Sequence, residues 1–408
     1  MAWYSTLSRW FGGGGLSNPT QGPQGIGPTT NHTDSGLTLT DERAMGLSAV
    51  WSCVRLITET VGSLPIAVYE RTPAGRNKVE EHFLHDLLRV SPNAYMNPLE
   101  FREAMTMALT LWGNAYAHIE RDKGGKPTSL IPLRPDLVTP VREAGTVTYH
   151  YMTEGKEYIF AKESILHLKG FGVDGLVGLS PLGYSRNTLG ISASADKYAS
   201  KAFSSNGRPS GFISVDSVLT TEQRKALAEI YAQSSVDDTK TWVLEAGAKY
   251  NQITMPPDTM QMLQSRQFQL GEVARIFRVP SYLINDTEKS TSWGTGIEQQ
   301  NLGFLTYTIR PYLTRWEMAI DSTLLDRTDR RRYFVEHNVE GLLRADSAAR
   351  ASFYSQMAQN GLMSRNEIRM KENLPPVDGG DDLTVQVNLT PVQDLPKVQG
   401  NGNENPTD

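Results

Sequence analysis

The chain has 408 residues, of which 39% are apolar and 21% charged, enough apolar material to bury a sizeable core in one to three domains. A single cysteine, Cys53, excludes an intrachain disulfide and fits a reducing compartment, and no apolar run approaches the length of a membrane span. With 40 basic against 45 acidic residues the net charge is −5, which argues against a protein that grips nucleic acid by neutralising its phosphates.

The opening MAWYSTLSRWFGGGG has one arginine but no continuous apolar stretch, so no signal peptide is expected. Residues 12–36 (GGGGLSNPTQGPQGIGPTTNHTDSG) are dominated by Gly, Pro, Ser and Thr and bury too little surface to offset the entropy of ordering. Residues 1–36 therefore read as a disordered arm, and residues 389–408 as a disordered tail. Thr40, followed by Asp41 and Glu42, marks a helix start. Leu47, Val50, Val54, Ile57, Val61 and Leu64 recur at helical spacing up to Pro65, predicting one amphipathic helix. IAVYE reads as a strand, and residues 80–91 and 98–112 as helices. From 114 to 170 the period changes to two, with turns at Gly124-Gly125 and Glu154-Gly155. This half predicts an α+β unit of local hairpins rather than a βαβ repeat.

SPLGYSRNTLGISASADKYASKAFSS (180–205) predicts a helix whose thin, small-residued stripe suits close neighbours, such as equivalent helices of other subunits. Residues 207–256 form a small α/β insert: strand GFISV, helix TTEQRKALAEIYAQ, strands TWVLEA and YNQITM. A helix over about 258–279 leads to the polar stretch INDTEKSTSWGTGIEQQN (284–301). The next helix, over 298–325, has the stripe Leu302, Leu305, Ile309, Leu313, Trp316 and Ile320. Pro311 lies inside it, and an interior proline removes one backbone hydrogen bond at a cost of about 3 kcal/mol, predicting a kink. Two short helices, 345–358 and 364–373, precede the acidic turn VDGGDD.

GFGVDG (170–175) matches the G-x-G-x-x-G dinucleotide fingerprint, with strand-like ILHLK before it and Asp196 after it. The context fails, because Asp196 falls inside a helical run and Pro181 interrupts the expected phosphate-binding helix. A glycine-rich turn is the expectation. His82 and His85, beside Glu80, Glu81 and Asp86, have metal-ligand spacing but no third cluster to join, and read as a solvated helix face. His167 reads as a paired sheet residue rather than a base. Ser290, Thr291 and Ser292 have no nearby histidine to activate them. Trp293 is either a base-stacking platform or an anchor for its own loop.

The order of these blocks resembles the portal (connector) proteins of tailed bacteriophages, the long-tailed type with Hong Kong-type lambdoid capsids. The resemblance rests on AVWSCVRLITETVGSLPIAVYE, HDLLRVSPNAYMNPLEF, LWGNAYAHIERDKGGKPTSLIPLRP and HLKGFGVDGLVGLSPL in the first half. NGRPSGFI, FQLGEVARIFRVPSYLI, GIEQQNLGFLTYTIRPYLTRWE, NGLMSRNEIR and PPVDGGDDL carry it through the second. No block is decisive alone; the set, from about 40 to 390, is specific.

The resemblance implies a portal-like α+β subunit. Its parts would be an α/β wing (37–179), a stem helix (180–206), a small α/β clip (207–257) and a second stem helix (258–284). A tunnel loop (285–297), a kinked wing helix with a following strand (298–344) and a short helical crown (345–388) would complete it. It further implies a ring of twelve copies at one capsid vertex, built in the host bacterial cytoplasm, with double-stranded DNA passing without sequence specificity. Lys289, Ser290, Thr291, Ser292, Trp293, Gly294, Thr295 and Gly296 would line the channel, and Arg208, Pro209, Trp242 and Glu245 would dock partners. Those partners would be the terminase large subunit, then a head–tail connector, with the major capsid protein around the ring. No catalysis, cofactor, metal or membrane is implied. The rival readings are a dinucleotide-binding enzyme using 170–175 and a non-viral ring scaffold.

Overall fold

The computed structural model of the chain describes residues 33–34, 38–73, 75–143, 145–204, 211–214, 220–225, 249–252, 259–284, 295–339, 347–372 and 374–385. They fall into two compact units, Met1–His337 and Asn338–Asp408.

In the first unit the Thr40 hydroxyl accepts from the Arg43 N–H at 3.2 Å and opens a helix, α1 (Asp41–Met45). The single helix expected up to Pro65 is instead two, because Gly46 and Leu47 interrupt it before α2 (Ser48–Ser63). Leu47 takes extended backbone as the cap of α2 and buries its side chain there. At the other end Leu64 is also extended, the conformation favoured before a proline, whose ring crowds the helical region. Val50, Val54, Ile57 and Val61 form the buried stripe of α2, which packs on α3 (Pro98–Trp112). Cys53 lies in the same core, and burial pushes its thiol up to about 12, so it acts as a small apolar residue.

Helix α3 has a capping box: Asn97 accepts from the Glu100 N–H at 2.9 Å, and Glu100 accepts from the Asn97 N–H at 2.9 Å. Pro98 stands in the first turn and Gly113, at φ 71°, ends the helix left-handed. The helix expected at 80–91 is shorter, a single turn at Phe83–His85 followed by a π turn at Asp86–Val90.

The strands run β1 (Ile66–Thr72), β2 (Gly75–Lys78), β3 (Asn114–Arg121), β4 (Pro127–Leu133), β5 (Val138–Glu143), β6 (Thr146–Thr153), β7 (Lys156–Ala161) and β8 (Ile165–Lys169). Two short strands, β9 (Gly211–Ser214) and β10 (Lys249–Gln252), pair with each other, and β11 (Tyr333–His337) pairs with β1. Among the described residues every sheet pairing is antiparallel, with orders β11-β1-β2, β4-β3-β8 and β5-β6-β7. Gly125, Gly145 and Gly155 have positive φ at the tight turns, where a side chain would be strained. Tyr116, Leu133, Val138, Tyr149, Tyr151 and Ile165 form the core between the second and third sheets.

The helix expected over 180–205 is likewise divided. One turn, Pro181–Tyr184, is capped by Ser180, and α4 (Arg186–Ser204) follows. Thr33 and Asp34, within the segment read as a free arm, pack on α4: Asn187 Nδ2 donates to Asp34 at 2.7 Å. A Cβ on Gly190 would lie 2.6 Å from Thr33 Cγ2, so the small residue makes room for Thr33. Helices α5 (Thr259–Phe277), α6 (Thr295–Phe304) and α7 (Arg310–Thr323) complete the unit. Trp316 of α7 is fully buried, edge-on to Phe101 at 6.0 Å, and its indole N–H reaches Thr106 Oγ1 at 3.2 Å. Among the described residues no helix is long and apolar enough to cross a membrane.

The second unit holds α8 (Ser347–Gln359) and α9 (Arg365–Lys371), the latter opened by a Ser364/Glu367 capping box. Asn366 organises the acidic turn: its Nδ2 donates to Val377 O at 2.9 Å and its Oδ1 accepts from the Val377 N–H at 2.8 Å.

Candidate functional site

Lys289, Ser290, Thr291, Ser292, Trp293 and Gly294 lie outside the described residues, as do Arg208, Pro209, Trp242 and Glu245. Thr295 and Gly296 open α6. What the structure describes is the base from which residues 285–294 depart. Helix α5 ends with Arg278 at φ 56°, a left-handed conformation costing about 1–2 kcal/mol for a residue with a Cβ. The turn is held because the buried Thr308 hydroxyl donates to Arg278 O at 2.6 Å and the Val279 N–H donates to Ala274 O at 2.9 Å. A 3₁₀ turn, Ser281–Ile284, follows, and its Tyr282 hydroxyl donates to Asn301 Oδ1 of α6 at 2.7 Å. Both flanks of residues 285–294 are therefore fastened to each other.

Pro311 sits in the first turn of α7, immediately after a π turn, Leu305–Ile309, that joins α6 to α7. The Arg310 N–H bonds back five residues to Leu305 O. The return from π to α register thus falls where Pro311 has no N–H to offer, so no further donor is stranded.

The glycines at 170–175 have a local cause. Gly170 N–H donates to Gly113 O at 2.8 Å and Leu179 N–H to Phe171 O at 2.6 Å. A Cβ on Gly113, Gly172 or Gly178 would overlap backbone oxygen atoms of this crossing. No helix begins in 170–179, so there is no helix N-terminus to receive a pyrophosphate. Asn114 clamps the crossing from below, donating to Gly178 O at 2.7 Å and accepting from the Gly178 N–H at 2.7 Å. His167, buried in β8, bonds Asn114 Oδ1 through Nε2 at 3.0 Å and the Tyr149 hydroxyl through Nδ1 at 3.1 Å. Since Asn114 Oδ1 only accepts, Nε2 carries the proton and Nδ1 accepts from Tyr149.

Burial, with Lys169 nearby, holds the His167 pKa well below 6.5. The unfolded chain binds a proton below that pH which the folded chain refuses, so stability falls as pH drops. The loss is at most about 1.4 kcal/mol per pH unit and ends once the folded pKa is passed. Urea midpoints between pH 7.5 and 5 should fall more steeply for the wild type than for His167→Gln. Identical slopes would show that His167 is not the source.

His82 and His85 do not share a helix face. His82 precedes the helical turn as its cap, its Nδ1 accepting from the Leu84 N–H at 3.3 Å, with its ring 4.7 Å from Tyr333. Among the described residues no group of three His, Cys, Asp or Glu is placed to hold a metal.

A model of the phage portal protein family matches residues 48–373. The portal protein of Enterobacteria phage HK97 is 42% identical over 96% of this chain and 94% of that protein. A crystal structure of an HK97 family phage portal protein from Corynebacterium diphtheriae is similar at a TM-score of 0.58, with 16% identity over 75% of this chain and 97% of that one. The neck of a native GTA particle computed with C12 symmetry contains a chain similar at a TM-score of 0.57. Identity there is 24%, over 86% of this chain and 97% of that chain. The two structures share the mixed α+β fold, and the sequence matches span nearly the whole chain: it belongs to the phage portal protein family.

Proposed function

We propose that this portal protein assembles as a twelve-membered ring at one capsid vertex, with an axial channel through which DNA is packaged and later ejected. The observation that carries this reading is the 42% identity to the HK97 portal protein over 96% of the chain. The C12 symmetry of the similar GTA neck supports the ring count. Portal proteins are structural, so the work of translocation belongs to a partner motor, the terminase large subunit.

Within the ring, residues 37–179 and 298–344 serve as the wing, 180–206 and 258–284 as stem helices, 207–257 as the clip and 345–388 as the crown. The loop at 285–297 faces the channel. Its composition supports this: one cation, Lys289, stands against Asp286 and Glu288, and each retained phosphate contact would add a salt-dependent hold that opposes sliding. The bonded flanks at Tyr282–Asn301 and Arg278–Thr308 support a loop set on a fixed base. Pro311 and the π turn before it mark the change of direction in the wing helix.

The clip carries the docking role, with Arg208, Pro209, Trp242 and Glu245 facing the motor first and the head–tail connector later. Exchanging Arg208→Glu, Trp242→Ala and Glu245→Lys together should lower capture of the terminase large subunit by about tenfold or more, with ring assembly intact. Capture equal to wild type, or loss of the ring, would refute the assignment.

A further inference from the structure

A cleft of about 870 Å³ lies in the first unit, between the β3–β4 turn, β8 and the chain that follows α7. Its lining includes five cations, Arg121, Lys126, Lys162, Lys169 and Arg330. Three carboxylates, Glu163, Asp326 and Asp329, line it as well. Among the described residues none of these eight groups forms an ion pair, although Arg55 with Glu59, Lys78 with Glu80 and Arg134 with Asp136 do so elsewhere in the unit.

The cations are satisfied without being neutralised. Arg121 donates to Gly125 O at 2.9 Å and Glu163 O at 3.2 Å, Lys169 to Gly175 O at 2.7 Å, and Arg330 to Leu325 O at 3.0 Å. A carbonyl takes the hydrogen bond and leaves the charge in place. Lys126 lies 6.0 Å above the Phe83 ring and, like Lys162, is exposed. Burial, with Lys162 and Arg142 nearby, lowers the Lys169 pKa, in keeping with a surplus of positive charge. The apolar group it leaves accessible is the half-buried Phe83, since Ile165, Leu324 and Leu325 are buried behind the lining.

We propose that this cleft docks an acidic–apolar peptide segment of a protein partner, its carboxylates meeting Lys126 and Lys162 and an apolar side chain resting against Phe83. Cations without an ion-pair partner beside an accessible ring are what such a segment complements. With five cations against three carboxylates the cleft suits a segment bearing one or two carboxylates rather than the denser charge of a phosphate run.

The test uses the full chain and a fluorescein-labelled peptide of alternating Glu and Leu, a control with Gln for Glu, and a short DNA duplex. The acidic peptide should bind about tenfold more tightly than its control, a difference of about 1.4 kcal/mol, and Lys126→Glu/Lys162→Glu should remove that preference. Lys126→Gln/Lys162→Gln, run in parallel, should halve or abolish it and keeps the test readable if charge reversal impairs folding. Equal binding of both peptides, or no effect of either variant, would overturn the proposal. So would a duplex that displaces the peptide and shows the same sensitivity to the variants, which would assign the cleft to nucleic acid.

Discussion

Deleting residues 289–296 should leave a soluble, ring-forming protein that has lost most of its DNA packaging. The ring should survive because the deletion takes only Thr295 and Gly296 from the start of α6 and leaves the bonded flanks in place. Tyr282 still reaches Asn301, Thr308 still holds Arg278 O, and the buried face of α7 at Leu313, Trp316 and Ile320 is untouched. Packaging should fail if, as proposed, these polar and hydroxyl-rich residues line the channel and offer DNA weak, exchangeable contacts. A packaging assay with purified motor and capsids, set beside gel filtration of the variant, separates the two effects. Packaging at the wild-type level would remove the loop from the channel, and a chain that no longer folds would place it in the core.

Gly113→Ala should be among the most damaging single substitutions in the first unit. Gly113 has φ 71° and its missing Cβ points at Leu179 O. The left-handed conformation costs a residue with a Cβ about 1–2 kcal/mol, and forcing the crossing apart adds about 1–3 kcal/mol. The sum, about 2–5 kcal/mol, is a large share of the roughly 5–15 kcal/mol by which domains are stable. Gly175→Ala is the control: φ is 69° but no atom lies within 4 Å of its Cβ position, so only the backbone cost of about 1–2 kcal/mol remains. Denaturant midpoints of the two variants measure the difference directly. Similar losses for both would mean that the crossing at Gly113, Gly170 and Gly178 gives way freely.

The parts of this fold that were legible in the sequence are those whose causes are local. Helix α3 is announced by Asn97-Pro98, Glu100 and Gly113, and the hairpins by Gly125 and Gly155, because caps and turns act within a few residues. The breaks at Gly46–Leu47 and Ser185 and the π turn at Leu305–Ile309 carry no such signal. They arise where burying a side chain or accommodating Pro311 outweighs a propensity that favours continuous helix. The loop base was invisible for a related reason. Tyr282 and Asn301 stand 19 residues apart, and Asn114 serves a glycine 64 residues away, so only the folded chain brings them together. The polar character of 285–297 was plain from composition. Its proposed place in a channel, and the proposed docking residues of the insert, rest on likeness to portal proteins and on no pattern in the residues themselves.

Assembly is the property on which the channel depends, and native mass spectrometry of the purified full chain, with negative-stain imaging of the same sample, measures it. A closed ring of twelve copies around an open hole wide enough for duplex DNA is the expected result. A monomer or dimer at every concentration, or a ring with no bore that admits a duplex, would contradict it.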